Sequence, residues 1–435
     1  MILNTDLRVK TMFLPVIFFI STLLFPGCSN DEPAEDYNGE EVASEAIYQV
    51  AQLNISTENA VAITSKDDYV NCIISINSEN EDWSYSGTGR VRGRGNSTWL
   101  WYPKKPYRIK LDDKAEILGL AADKDWVLLA DYRDPTHLMN TFVFTVGQGL
   151  GLPYTNHSRY VEVILNEDYV GLYMLTEQVE EGSNRVAIDE VEGLLLSLDA
   201  DDGPELAPEE TDNFWSSVYH MPVRVKVPDI IDESHLASIQ AEFAKLEAAI
   251  KSADYTTVEQ LMDISSFINF MIIQELVYNV EVAAPRSINL YRDKGGKWTM
   301  GPLWDFDAGF DFDWATMYTG HDYFYSYREL VLGTNPVNHT GGYIVPAFFT
   351  DLFKSERFVD EYKANWLVVK DQIMAEYWET TQTFANGFAE AMGRDAIRWP
   401  IGKNNETETQ RMQQWLTNRV NYLTNVIDNY PAGTK

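Results

Sequence analysis

Tyr160-Val-Glu-Val-Ile-Leu165, then Asn166-Glu167-Asp168, then Val170-Gly-Leu-Tyr-Met-Leu175 reads as two β-strands joined by a polar hairpin turn. Upstream, Tyr69-Val-Asn-Cys-Ile-Ile-Ser-Ile76 and Tyr107 to Leu111 are equally short and strand-like, so strands are expected from about Ala60 to Asp199. One helix interrupts them. Asp134 is its expected N-cap and Pro135 its first turn; Leu138, Met139, Phe142, Val143 and Val146 form its apolar face before the glycines near Gly149. Helices dominate from about Ser234. Leu236, Ile239, Phe243, Leu246 and Ile250 mark one stripe; Phe267, Ile268, Met271, Ile272 and Leu276 mark another. Trp415, Leu416, Val420, Leu423 and Ile427 mark a last one. Strands followed by helices predict an α+β chain in two lobes, without an internal repeat.

The 435 residues carry 34 basic and 66 acidic side chains, a net charge of −32. That balance argues against nucleic acid as the main partner and against docking of the body on anionic lipid. Two cysteines exclude a disulfide framework. Arg8 and Lys10 precede the short apolar run Met12 to Leu24, and Gly27-Cys28 follows, with Phe25 and Pro26 imperfect for a lipobox. The run suits a signal peptide rather than a membrane span. The expectation is a lipoprotein signal over 1–27, lipid on Cys28, and an acidic tether over 28–50. Cys72, left without a partner, is expected to be a small buried apolar residue.

Several chemistries are absent. The six histidines form no metal-like spacing, and there is no Gly-x-Ser-x-Gly elbow or Walker loop. Asp199-Ala-Asp201-Asp202 lacks the glycine of a calcium loop and reads as solvated.

Four segments carry chemistry. Arg92-Gly-Arg94-Gly-Asn96-Ser-Thr-Trp99 could bring backbone N–H groups close to a phosphate. In Lys104-Lys-Pro-Tyr-Arg-Ile-Lys-Leu111, strand alternation places Lys105 inward and Lys104 in solvent; an inward lysine needs an anion. Leu172 to Glu180 is a strand running into acidic residues, and Gln274 to Arg292 is a helix end followed by a strand. In Gly301-Pro-Leu-Trp-Asp305-Phe-Asp307-Ala-Gly309, two carboxylates among aromatic residues need hydrogen bonds or a cation such as Mg²⁺ or Ca²⁺.

Arg-Gly-Asn-Ser-Thr-Trp (94–99), Lys-Lys-Pro-Tyr-Arg-Ile-Lys-Leu (104–111), Asp-Tyr-Arg-Asp-Pro-Thr-His-Leu-Met-Asn (131–140), Gly-Leu-Tyr-Met-Leu-Thr-Glu-Gln (171–178) and Gly-Pro-Leu-Trp-Asp-Phe-Asp (301–307) occur in this order. Together they resemble the spore-coat protein H (CotH) kinase family, here as a Bacteroidetes-type surface lipoprotein. The resemblance implies a divergent bilobal protein-kinase-like fold over 51–430, with an N-lobe over about 60–230 and a C-lobe over about 231–430. It implies phosphoryl transfer from ATP with Mg²⁺ (or Mn²⁺) to a secreted or surface protein. It implies that Lys105 is the nucleotide-phosphate lysine and Asp305 the metal-binding aspartate, with Asp307 a second ligand. Arg94 and Asn96 would lie along the nucleotide, and Glu177 near the hinge where adenine sits. The protein would be exported and lipid-anchored at the outer membrane or cell surface.

The family's catalytic aspartate, in Asn-x-Asp, is matched by Asn279-Val-Glu281. A glutamate still accepts a proton, but its carboxylate is displaced by about an ångström. The following loop is one residue longer, so a further metal ligand is ambiguous between Ser287 and Asn289. Tyr291-Arg-Asp293 reads as a strand end, and no glutamate in the Pro135–Leu150 helix supplies the usual lysine partner. Two other readings follow: a nucleotide- or metal-binding pseudokinase, and a glycan-handling surface protein suggested by 12 Trp and 24 Tyr. The phosphate acceptor, the source of ATP, the choice between phosphoryl and nucleotidyl transfer, and the oligomeric state are not encoded legibly.

Overall fold

In the computed structural model the described residues are 50–313, 323–332 and 344–433. The expected signal, Cys28 and most of the tether lie outside them, as do His321 and His339.

Seven strands close into a barrel: β1 (Ala51–Thr57), β2 (Val70–Asn77), β3 (Tyr85–Gly93), β4 (Tyr107–Ile117), β5 (Leu120–Leu129), β6 (Arg159–Leu165) and β7 (Asp168–Glu177), in the order β1-β2-β3-β4-β5-β7-β6. All neighbours are antiparallel except β1 and β6, which run parallel from Ala51↔Val161 to Ile55↔Leu165. Alternation drives the closure. Leu53, Ile55, Ile74, Ile76, Val91, Ile109, Leu111, Leu128, Val161 and Leu175 point inward and fill the lumen. Asn166 and Glu167 both have positive φ (50° and 70°), the geometry of a tight hairpin, as the polar triplet predicts. Cys72 is free and sits in the lumen, where burial pushes its thiol up to about 12.

A second sheet holds β8 (Leu194–Leu198), β9 (Asn213–Trp215), β10 (Pro222–Val227), β11 (Ile288–Arg292) and β12 (Thr299–Met300), in the order β12-β11-β8-β10-β9. Leu194-Leu-Leu-Ser-Leu198 is buried throughout, as a central strand covered on both faces must be. Through β8 and β11 this sheet joins the strand-rich region to the helical one. The helices span Glu233–Lys251, Tyr255–Leu261, Ile264–Leu276, Ile344–Thr350, Glu356–Gln372, Glu379–Arg398 and Asn405–Asp428. Side-chain caps from Asp232, Asp254, Asp263, Ser355 and Asn404 start five of them. Their apolar faces, the second sheet and the Met139–Gly149 helix share the larger core.

The mixed α+β order matches the expectation; three details depart from it. A strand occupies residues 51–57, ahead of the expected start near Ala60, and it is the strand that closes the barrel. The first helix begins at Met139 rather than Asp134. Asp134 does cap backbone N–H groups, those of Thr136 (2.7 Å) and Met139 (2.8 Å), but His137 has φ +58°, so 134–138 form a turn. The lysine faces are also reversed. β4 starts at Tyr107, so alternation does not extend back through Pro106. Lys104 is fully buried, with its ammonium 2.8 Å from Asp395 Oδ1 and 2.6 Å from the Leu172 carbonyl. Lys105 is half-buried and donates to the Trp99 carbonyl.

Candidate functional site

The turn at 301–309 is held from several directions. Phe306 and Phe310 are pegs in the core. Gly309 admits no Cβ comfortably: one would lie 3.0 Å from the Val277 carbonyl and 3.1 Å from that of Phe306. The Phe306 N–H donates to Asn140 Oδ1 at 2.9 Å, and Tyr323 OH donates to the Asp307 carbonyl at 2.7 Å. Arg133 donates to Asp307 Oδ1 while its guanidinium lies 4.5 Å from the Phe312 ring centroid. Asp305, between these anchors, adopts φ +62°, a costly conformation for a non-glycine residue.

Glu281 joins this turn from the short 3₁₀ segment Val280–Val282 that follows the Ile264–Leu276 helix, with its N–H taken by Asn279 Oδ1. Glu281 and Asp307 are buried and Asp305 is partly so. Burial, then the Asp307 charge, pushes Asp305 up to about 7, with Arg133 and Arg94 opposing the rise. Burial, then Asp305 and Asp307, raises Glu281 well above the carboxylate range, opposed by Arg133 and Arg286. The three carboxyl groups therefore form one electrostatic cluster that demands positive charge.

Arginine supplies part of that charge. Arg94, where β3 ends, lies 5.3 Å from the Trp304 ring centroid and interacts with Asp305. Among the described residues no three His, Cys, Asp or Glu side chains stand in metal-holding geometry. The individual oxygens are informative. Asp307 is committed to Arg133. Asn289 donates to the Pro302 carbonyl at 3.0 Å, but its Oδ1 is buried with no partner. Ser287, φ +56°, is tied by its N–H to Asp199 Oδ2 at 3.1 Å. Of the two candidates, Asn289 rather than Ser287 carries an unmet acceptor, an oxygen of the kind Mg²⁺ takes.

Other expected residues lie around this cluster. Asn96 accepts from Lys66 (2.9 Å) and donates to Asp201 (3.3 Å), which also pairs with Arg286 (3.0 Å). The 199–202 loop is therefore bonded into the site: Asp199 and Asp201 are half-buried rather than solvated. Lys105 has its ammonium 5.6 Å from the Trp99 ring centroid and no carboxylate partner among the described residues. Glu177 is buried at the barrel end, where it accepts from the His157 N–H (2.8 Å) and meets His157 Nδ1 (2.7 Å). Burial would raise its pKa, but the His157 bonds outweigh it and hold Glu177 below the usual range. Its neighbours are His157 and Tyr154, not the carboxylate cluster.

Sequence reasoning assigned no role to Arg133, Asn140 or the Lys104–Asp395 pair. The first two lie in the 131–140 motif, whose run of polar residues around one proline was a readable signal. Asp395 carries none: it is one acid on the Glu379–Arg398 helix, 291 residues from its partner. There it also accepts the Leu172 N–H at 2.8 Å, over a glycine whose Cβ would come within 2.4 Å of its oxygen.

No curated protein matches the chain. A family model described as CotH kinase protein matches residues 91–423, which include the end of β3, all of β4 to β12 and every carboxylate of the cluster, and the chain belongs to that family.

Proposed function

We propose that this protein is an ATP- and metal-dependent phosphotransferase, exported and held at the membrane through lipid on Cys28, that phosphorylates a secreted or surface protein. The observation that carries the reading is the convergence of Glu281, Asp305 and Asp307 beside Arg94, in a chain of a kinase family. Once ionised, Glu281 takes the proton of the acceptor hydroxyl as that oxygen bonds the γ-phosphorus and the bond to the departing ADP breaks. Asp305 and Asn289 would hold a divalent ion, which when bound would neutralise charge on the transferring phosphoryl group. Arg133 keeps Asp307 in place, Arg94 and Lys105 face the phosphates, Asn96 supports that loop, and Glu177 borders the adenine. The barrel then acts as the N-lobe and the helical region as the C-lobe.

A pseudokinase reading is favoured by one observation: Asp307 is already neutralised by Arg133, so a metal site there is incomplete without rearrangement. Labelling decides between the two. Chain 45–435 is incubated with Mg²⁺ or Mn²⁺ and ATP labelled separately on the γ- and α-phosphates, with a generic acceptor and with Asp305→Ala and Lys105→Ala. Incorporation of γ-label lost in both variants supports the kinase; α-label makes it a nucleotidyl transferase. Nucleotide-dependent stabilisation without incorporation supports the pseudokinase.

A further inference from the structure

The segment between the Met139–Gly149 helix and β6 joins the end of the barrel to the carboxylate turn. Tyr154 and Thr155 lie against the start of that turn. A Cβ on Gly301 would meet the Tyr154 carbonyl at 3.6 Å, and one on Gly147 would meet both Leu303 Cδ1 (2.5 Å) and Thr155 Oγ1 (3.0 Å). Asn156 ties the segment to the end of β7, donating from Nδ2 to the Glu177 carbonyl at 2.7 Å. The fold leaves hydrogen-bonding capacity unused here. Thr155 Oγ1 and Asn156 Oδ1 are buried and have no partner among the described residues, and such groups at consecutive positions call for a cause outside the fold.

His157 comes next, and Glu177 stands behind it. The Glu177 side chain is 3% exposed, and both of its oxygens are taken. Oε2 accepts the His157 N–H (2.8 Å) and the Thr176 hydroxyl (3.2 Å), while Oε1 meets His157 Nδ1 at 2.7 Å. Glu177 therefore has no oxygen left for a ligand. Burial opposes its ionisation, but the His157 bonds outweigh burial, so the carboxylate only accepts and the shared hydrogen sits on Nδ1. The neutral ring then keeps a lone pair on Nε2. That nitrogen has no partner among the described residues, and the side chain that carries it is 47% exposed. A buried carboxylate thus fixes a half-exposed acceptor in one orientation, on the segment that leads to the turn.

We propose that His157 reads the base of the nucleotide, its Nε2 accepting a hydrogen bond from the 6-amino group of adenine, with Glu177 as the positioning residue that fixes the ring and its tautomer. This rests on the nucleotide reading above for its ligand, while the Glu177–His157 pair itself does not.

Binding of ATP and of ITP, whose 6-oxo group accepts where the 6-amino group of adenine donates, is measured by calorimetry with Mg²⁺. The proteins are chain 45–435, which contains every described residue, and its variants His157→Phe and Glu177→Gln, with a thermal melt of each to check folding. The parent should bind ATP about tenfold or more tighter than ITP, and His157→Phe should bind the two alike. In Glu177→Gln the amide oxygen stays with the His157 N–H, its NH₂ faces Nδ1, and the ring proton moves to Nε2. Preference should then turn towards ITP, which a loss of mere structural support would not produce. Preference for ATP that persists in His157→Phe, or in a folded Glu177→Gln, overturns the inference and spares the nucleotide reading. A parent that binds ATP and ITP alike does the same. A parent that binds neither sinks the reading and the inference with it. Should Glu177→Gln fail to fold, His157→Phe decides.

Discussion

Lys104 is the most completely buried cation of the barrel, with Asp395, the Leu172 carbonyl and the Tyr173 ring as its surroundings. Burial lowers its pKa and the Asp395 charge opposes this. Lys104→Met leaves Asp395 buried without its cation and is expected to cost about 3–5 kcal/mol, read by urea unfolding. Lys104→Met/Asp395→Leu should recover part of that loss, because an apolar pair avoids the stranded charge. Glu180 offers a pH test. Burial, then Asp125, raises it to about 7 despite Arg108. An acid raised on folding adds nothing below its unfolded pKa and destabilises progressively as pH climbs to the folded value. Glu180→Gln should therefore melt like the parent near pH 4 and be more stable at pH 8, by on the order of 3 kcal/mol. An equal difference at both pH values would contradict this. At this scale the sequence was readable where chemistry was dense: Asp305, Asp307, Glu281 and Arg94 come together. It misled at Lys104 and Lys105, because alternation was extended across Pro106, which cannot donate to a strand ladder.

The Met139–Gly149 helix and the 301–309 turn work as one unit, since Asn140 holds the Phe306 N–H and Arg133 holds Asp307. Asn140→Ala strands a buried N–H and should cost about 1–3 kcal/mol. Because Phe306 lies between the two aspartates, the same change should lower phosphate transfer more than nucleotide binding; equal losses would assign Asn140 a merely structural role. The helix itself was legible from its apolar spacing, and its cap from Asp134. Its start was not, because the cap serves a turn containing His137 at positive φ, a tertiary arrangement with Tyr160 OH donating to the His137 carbonyl.

Across the whole molecule, closure depends on β1. Its partners are β2 and, in parallel, β6, more than a hundred residues away. A chain beginning at residue 60 should lose the cooperative unfolding transition of chain 45–435, because β2 and β6 become open edges and the lumen loses Leu53 and Ile55. Retention of a single transition at the same midpoint would show the barrel does not need closing. Such pairing was illegible in the sequence: Ala51–Thr57 alternates like any edge strand, and nothing local names β6 as its neighbour. The second sheet was hidden for the same reason, since β8 and β11 meet across about ninety residues. The helical half was easier, as its stripes and caps are local.

Glu281 is the residue on which the proposed transfer turns. Transfer of γ-phosphate from Mg-ATP to an acceptor protein should be measured in single turnover for the parent, Glu281→Gln and Glu281→Asp. The prediction is transfer by the parent, loss of at least a hundredfold in Glu281→Gln with nucleotide affinity kept, and a rate in Glu281→Asp at or above the parent's. Transfer by Glu281→Gln at the parent's rate, or none by any of the three, would contradict it.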